Sequence, residues 1–231
     1  MESERRELSS LVRKTGRLLQ SLALAGISDL PSVSSEQRHD LRTSKTAQLE
    51  PIRQQALQCR ACRLAKTRHS VVFGEGPLDA DLVFVGEGPG REEDAQGRPF
   101  VGSAGELLTK IIQAMKLTRE SVYITNVVKC RPPMNRPPEP DEAAACSRYL
   151  EAQLTTIRPK VICALGKTAT TALLETEAPM ARLRGKTFHW KEIPLIVTFH
   201  PAYLLRNPAA KLYVWADMQR VLELLKGGHA D

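Results

Sequence analysis

Four short apolar runs set the frame for this chain. DLVFVG (81–86), VYITNV (122–127), KVICALG (160–166) and PLIVTF (194–199) are each rich in Val, Ile and Phe. Runs this short and this continuous suit strands buried on both faces. Helical patterns separate them, at 103–116, 139–157 and 167–175, with a last one at 208–226. Strands alternating with helices predict an α/β fold: a three-layer α/β/α sandwich around a central, mainly parallel four-stranded sheet. In an open sheet of this kind ligands bind beyond the carboxyl ends of the strands. Every chemically loaded loop in this sequence starts at such an end, so one shared site is expected.

Ahead of the first strand the pattern changes twice. Leu8, Leu11, Val12, Leu18, Leu19, Leu22 and Ala25 recur at spacings of three and four, which predicts an amphipathic helix over 1–26 closed by Gly26. Residues 27–50 are polar and Ser-rich and read as a linker. A short helix over 51–58 then leads to Cys59, and 51–231 forms the main domain. No run of about 18 apolar residues occurs, so no spanning helix is expected. The start, MESERRELSS, lacks the apolar stretch of a secretory signal.

Charge narrows the partner. Of the net +7, residues 1–50 hold +1 and residues 51–231 hold +6. The surplus sits in the main domain and suits a polyanion bound by a folded surface, not by a basic tail.

Five cysteines are too few and too unevenly spaced for a secreted disulfide scaffold. Cys163 lies inside VICALG and reads as a buried small apolar residue. Cys59 and Cys62 form C-x2-C, while Cys130 and Cys146 are spread across a Pro-rich loop and a helix start. Four thiolates complete a set for either zinc or a cubane iron–sulfur cluster, and spacing does not choose between them. His69 is a possible extra ligand for a set already filled.

The loop after the first strand reads Gly86-Glu87-Gly88-Pro89-Gly90, then Arg91-Glu92-Glu93-Asp94 and Gly97-Arg98-Pro99-Phe100-Val101-Gly102. It matches neither the dinucleotide fingerprint nor a Walker loop, and three acids at 92–94 would repel a pyrophosphate. A neutral ligand with hydrogen-bonding edges is more compatible. Phe100 is a core plug or a stacking platform. Asn126, at the end of the second strand, offers a donor and an acceptor side by side. His200 follows the fourth strand and could donate to a developing anion. Leu204, Leu205 and Arg206 follow it, apolar tips beside a cation, the composition of a wedge that enters a base stack.

GEGPG at 86–90, GRPFVG at 97–102, TNVVKCRPP at 125–133, HPAYLLRNP at 200–208 and the four-cysteine spacing together resemble the family 4 (type A) uracil-DNA glycosylases, the iron–sulfur branch of that superfamily. The resemblance covers about residues 51–226 and implies a parallel sheet between helix layers. It also implies a [4Fe–4S] cluster on Cys59, Cys62, Cys130 and Cys146. The uracil pocket would be formed by Gly86, Glu87, Gly88, Glu93, Phe100, Asn126 and His200. Phe100 would stack on the ring, Asn126 would pair with its O4 and N3–H edge, and Glu93 would exclude thymine's methyl group. His200 would stabilise the leaving uracil anion, and Leu204 or Leu205 would fill the gap left in the stack, with Arg206 on phosphate.

One departure stands out. Family 1 enzymes carry a water-activating aspartate where Gly88 stands here, which leaves Glu87 as the nearest replacement. The His-containing insertion of relatives that trap the abasic sugar is also absent, so turnover is expected. The resemblance implies a monofunctional base-excision repair enzyme, monomeric, acting on uracil-containing DNA in the cytoplasm or nucleoid without a membrane, with any partner of the N-terminal helix unidentified. A non-catalytic uracil-DNA-binding or redox module on the same fold is the alternative; a zinc-stapled nucleotide-binding protein is a weaker third.

Overall fold

The computed structural model describes residues 35–227, with side chains from Thr43 onward. The predicted helix over 1–26 lies outside the described residues. The chain divides into two units between Leu41 and Arg42, and the architecture below is that of the second.

The stretch read as a linker is helical from Ser35, within α1 (Ser35–Leu57). Its sequence has little apolar periodicity, so tertiary contacts must hold it. Leu49 and Ala56 are buried, and the Lys45 ammonium donates to the carbonyls of Leu78 (3.1 Å) and Ile157 (2.7 Å). A 3-10 turn over Arg63–Lys66 follows Cys62.

The sheet and its helices then alternate. β1 (Leu82–Gly86) leads to α2 (Arg91–Gln96) and α3 (Ser103–Ala114); β2 (Tyr123–Asn126) leads to α4 (Pro140–Ile157). β3 (Val161–Leu165) runs into α5 (Gly166–Leu174), and α6 (Met180–Leu183) precedes β4 (Thr187–Trp190) and β5 (Ile193–Thr198). α7 (Pro201–Arg206) and α8 (Lys211–Leu225) complete the described chain. Strand order is β2-β1-β3-β5-β4; β1, β2, β3 and β5 are parallel, and β4 pairs antiparallel with β5.

The predicted α/β/α sandwich is therefore present, with five strands where four were expected. The additional strand, TFHW, sits at the sheet edge with mixed exposure, so it lacks the continuous apolar signature of its neighbours.

Alternate residues of each inner strand feed two cores. Val83, Val85, Ile162, Ala164, Leu195 and Val197 face α1, α4 and α5, packing on Leu49, Leu154 and Leu173. Leu82, Phe84, Val161, Cys163 and Ile196 face the other layer, against Leu108 and Ile112 of α3 and Val214 and Met218 of α8. Cys163 is fully buried there, as its place in the strand implies. Both sheet faces are covered, so the strand ends are left as the place where side chains can meet a ligand.

Among the described residues no helix is long and apolar enough to cross a membrane.

Candidate active site

The loops after β1, β2 and β5 converge on a cavity of about 560 Å³ at the carboxyl ends of the strands. That volume lies in the small-molecule range of about 300–1,000 Å³. Glu87, Gly88, Glu93 and Phe100 come from the first loop, Asn126, Pro132 and Arg136 from the second, and His200, Tyr203 and Arg206 from the third. Gly86 lies behind the wall. A Cβ there would overlap both Asn126 Oδ1 and the Phe100 ring, so only glycine lets the two side chains close over the strand end.

Asn126 is 1% exposed, and its Oδ1 is the one buried side-chain polar atom among the described residues that lacks a hydrogen-bond partner. Leaving a buried acceptor unmatched costs about 1–3 kcal/mol, so its persistence on a cavity wall marks a place for a ligand N–H. The backbone of the residue is held in place. Its carbonyl accepts from the buried Lys129 ammonium (2.7 Å), which also donates to Thr125 Oγ1 (2.7 Å) and Gln153 Oε1 (2.6 Å). Burial pushes the Lys129 pKa down to about 7.

Phe100 is 6% exposed and carries a left-handed backbone (φ 52°), an unfavourable conformation for an aromatic residue. Three charged groups hold it. Arg119 donates to the carbonyls of Pro99 and Phe100 (3.0 Å to Phe100), and Glu75 receives Arg98 at 2.7 Å and Arg119 at 3.4 Å. Past Phe100, the Glu93 carboxylate accepts from the N–H groups of Val101 and Gly102, both at 2.9 Å, and of Gly90 at 3.1 Å. Gly105 of α3 allows the approach, since a Cβ there would collide with the Phe100 carbonyl. Phe100 is thus both buried and part of the cavity wall, with its ring centroid 5.5 Å from that of His200.

The Ala202 N–H donates to His200 Nδ1 at 3.1 Å. In a neutral imidazole this leaves the proton on Nε2, whose N–H is then the donor available to the cavity. Burial, aided by the Arg206 charge and opposed by Glu93, lowers the His200 pKa from 6.5 to about 4. The ring is therefore a neutral donor near pH 7. Glu87 also lines the cavity, its carboxylate accepting from Thr168 Oγ1.

The last predicted group divides. Leu204 is 1% exposed and packs in the core beneath α3 and α8, because the turn of α7 points it inward; it is not available as a wedge. Leu205 is 48% exposed and Tyr203 38%, and Arg206 lines the cavity. Arg119 and Thr168 had no sequence signal, since each acts through contacts distant in the chain; Lys129 and Tyr203 lie within TNVVKCRPP and HPAYLLRNP, but nothing in those stretches marks them as site residues.

Cys59, Cys62, Cys130 and Cys146 line one separate cavity of about 10 Å³. His69 is not among its lining residues; its backbone N–H donates to Asp94 Oδ1 (2.9 Å). Donors point at three of the sulfurs. Arg68 reaches Cys130 Sγ at 3.2 Å, the Lys129 N–H reaches Cys146 Sγ at 3.3 Å, and the Ala61 N–H reaches Cys59 Sγ at 3.5 Å. Burial raises the Cys130 thiol to about 11 and raises that of Cys146, each opposed by a cation. At Cys59 burial is outweighed by the Tyr149, Ala61 and Arg148 donors, and the pKa falls. Cations and N–H donors at three of the four sulfurs suit an anionic thiolate group. Among the described residues no three His, Cys, Asp or Glu side chains already surround a single-ion position.

The His200 geometry has a measurable consequence. Above pH 6.5 the ring is neutral in both folded and unfolded chains; as pH falls, the unfolded chain takes a proton that the folded one refuses. His200 should thus lower stability from about pH 6.5 downward, levelling off below about pH 4. Nitrogen NMR of the imidazole should show Nε2 protonated and a midpoint near pH 4, and His200→Gln should flatten the acid limb of urea unfolding. A midpoint near 6.5 would contradict the assignment.

The sequence model of the uracil DNA glycosylase superfamily matches residues 73–220, which includes every cavity-lining residue named above for the strand-end cavity. A type-4 uracil-DNA glycosylase of Thermotoga maritima is 47% identical over 185 residues, covering 77% of this chain and 95% of that protein. One from Sulfurisphaera tokodaii is 44% identical, covering 76% and 84% respectively. Identity is 30% with a type-5 uracil-DNA glycosylase of Pyrobaculum aerophilum, over 68% of this chain. By its match to the family and its similarity to type-4 members along nearly their full length, the chain belongs to the uracil-DNA glycosylase superfamily, in the type-4 branch.

Proposed function

We propose that the protein removes uracil from DNA by hydrolysing the bond between uracil N1 and the sugar C1′, leaving an abasic site for repair. The observation that carries this reading is the unmatched Asn126 Oδ1, buried in a cavity shared with a neutral histidine donor and an aromatic ring. Uracil presents an N–H at position 3 and an acceptor at O4, which the Asn126 amide matches with Oδ1 and Nδ2. Cytosine reverses both, so binding it would leave buried polar groups opposed; such sites discriminate by about 10⁴-fold or more. Glu93 borders the same cavity, and its three backbone donors keep it from swinging aside to admit a methyl group at C5.

The base must first leave the stack, at a cost of a few kcal/mol. Phe100 then receives one face of the ring. As the C1′–N1 bond breaks, its electron pair goes to uracil, and the charge spreads over N1 and O2. The His200 Nε2–H stabilises that anion by donating to O2, with no prior ionisation of the ring. A water molecule adds to C1′. Of the two carboxylates on the wall, Glu93 accepts backbone N–H groups on both oxygens, whereas Glu87 accepts from Thr168 Oγ1 on one, which leaves its other oxygen to take the water's proton. Leu205 fills the vacated stack and Arg206 meets phosphate.

Cys59, Cys62, Cys130 and Cys146 would hold a [4Fe–4S] cluster. When bound, the cluster supplies an anionic, rigid crosslink between the segments before β1, after β2 and at the start of α4. Arg68 and Lys129 oppose its charge, and the Cys130 loop is tied four residues beyond Asn126.

Excision is tested with an oligonucleotide carrying one uracil, followed by alkaline cleavage at abasic sites. The protein should cut it, and Asn126→Ala and His200→Ala should each lower the rate by about 100-fold or more; an intact strand after incubation with the parent protein contradicts the proposal. Chemical analysis of protein purified without oxygen should find about four iron and four sulfide per chain, with visible colour. Zinc alone would overturn the cluster assignment.

A further inference from the structure

The loop Pro132-Pro133-Met134-Asn135-Arg136-Pro137-Pro138 carries a feature that base recognition does not use. Met134 is 93% exposed, the most exposed large apolar side chain among the described residues. Both Met134 and Asn135 have φ of 55°, a left-handed conformation costing roughly 1–2 kcal/mol for a residue with a Cβ. The conformation is nevertheless firmly held. The Asn135 and Arg136 N–H groups donate to the carbonyls of Pro132 (3.1 Å) and Pro133 (3.2 Å), and Arg131 Nε donates to Asn135 Oδ1 (2.7 Å). Arg136 anchors the base of the loop through two hydrogen bonds to the buried Glu142 carboxylate (2.8 and 2.7 Å). A rigid, strained turn thus keeps one thioether in water.

Its position suggests what covers it. Pro132, Asn135 and Arg136 line the uracil cavity, as do Tyr203 and Arg206 from the loop that presents Leu205. Met134 lines a second hollow of about 450 Å³ that shares Gly90, Glu93, Ala104 and Asn135 with the first and adds Arg91 and Arg131. Met134 thus shares a hollow beside the base pocket with two arginines, Arg131 bonded to Asn135 and Arg91 paired with Glu92, and with the Glu93 carboxylate; an apolar tip next to arginine fits a base stack flanked by phosphates.

Resting on the uracil-DNA reading above, we infer that Met134 is a second wedge, which packs against the base stack of double-stranded DNA next to the extruded nucleotide. Duplex extrusion breaks pairing and stacking that a single strand largely lacks, so an apolar group that fills the disturbed stack recovers energy mainly on duplex. Met134 therefore sets how far the enzyme accepts duplex substrate, together with Leu205.

The test compares the parent protein with Met134→Ser, Met134→Leu and the control Leu212→Ser. Leu212 is 79% exposed and lines neither hollow. Affinity is measured by fluorescence anisotropy for single- and double-stranded oligonucleotides containing one tetrahydrofuran abasic site, and excision is measured on the matching uracil substrates. Met134→Ser should lower the duplex-to-single-strand ratio about tenfold in affinity or kcat/KM, roughly 1.4 kcal/mol. Met134→Leu should restore most of it, and Leu212→Ser should leave it in place. An unmoved ratio in Met134→Ser, or an equal fall in Leu212→Ser, overturns the proposal. A parent protein that excises nothing while the affinity ratio still falls would sink the glycosylase reading and leave the wedge standing.

Discussion

The site depends on one buried lysine. Lys129 has no exposed surface to speak of (1%), and its ammonium is held by three oxygens, those of Thr125, Asn126 and Gln153, with no carboxylate among them. Burying an ammonium is costly unless it is fully hydrogen-bonded, and three donors on three acceptors meet that condition. Gln153 in turn donates to the Phe73 carbonyl at 2.7 Å and to the Tyr123 hydroxyl at 3.1 Å. The end of β2, the segment at Phe73 and the middle of α4 are thereby one polar unit inside an apolar layer. The Asn126 backbone is tied to that unit through its carbonyl, and its side chain is buried. The backbone N–H of Lys129 reaches Cys146 Sγ, and the next residue is Cys130, so the cysteine cavity and the recognition amide share a single short segment.

A second constraint acts on the other wall. Phe100 would relax out of its left-handed backbone if free to do so, and Arg119 and Glu93 hold the peptide groups on either side of it. The cavity is thus held at the Asn126 backbone, at the peptide groups around the ring and at the histidine, whose proton is placed on Nε2 by a backbone donor. Rigid donors and acceptors need no reorganisation as charge develops, which is where a neutral histidine in a partly buried site is most effective. The mouth of the cavity is built differently, from loops that expose Tyr203, Leu205 and Met134 next to arginines. On the proposed function, base recognition falls to the internal residues and the grip on DNA to the peripheral, apolar-tipped ones.

How much of this was legible follows from the range of the forces involved. The four parallel strands are short apolar-rich runs because both their faces are covered, and each lies within a residue or so of its predicted bounds. The edge strand Thr187–Trp190 has only one covered side and no such run, so the sequence does not announce it. Residues 42–50 are polar enough to read as linker, yet Lys45 and Leu49 bind them to the core, the lysine through carbonyls more than thirty residues away. At the site, Asn126 and His200 are legible because strand ends are where polar residues can face a ligand. Leu204 and Leu205 are chemically identical, and only the phase of α7 sends the first into the core. Arg119 carries no local mark, since its role is to hold carbonyls that the fold brings to it; two of the Lys129 acceptors are local, and only the approach of Gln153 from α4 completes the set.

The central claim is that Asn126, Phe100 and His200 are set for uracil before it binds. A crystal structure of the protein with free uracil tests this most directly. The account predicts uracil N3 at about 3 Å from Asn126 Oδ1, O2 facing His200 Nε2, the ring on Phe100, and the loop 99–102 moved by no more than about 1 Å from its place without ligand. Uracil bound away from Asn126, or bound there only after that loop or the amide has swung to a new position, would contradict it.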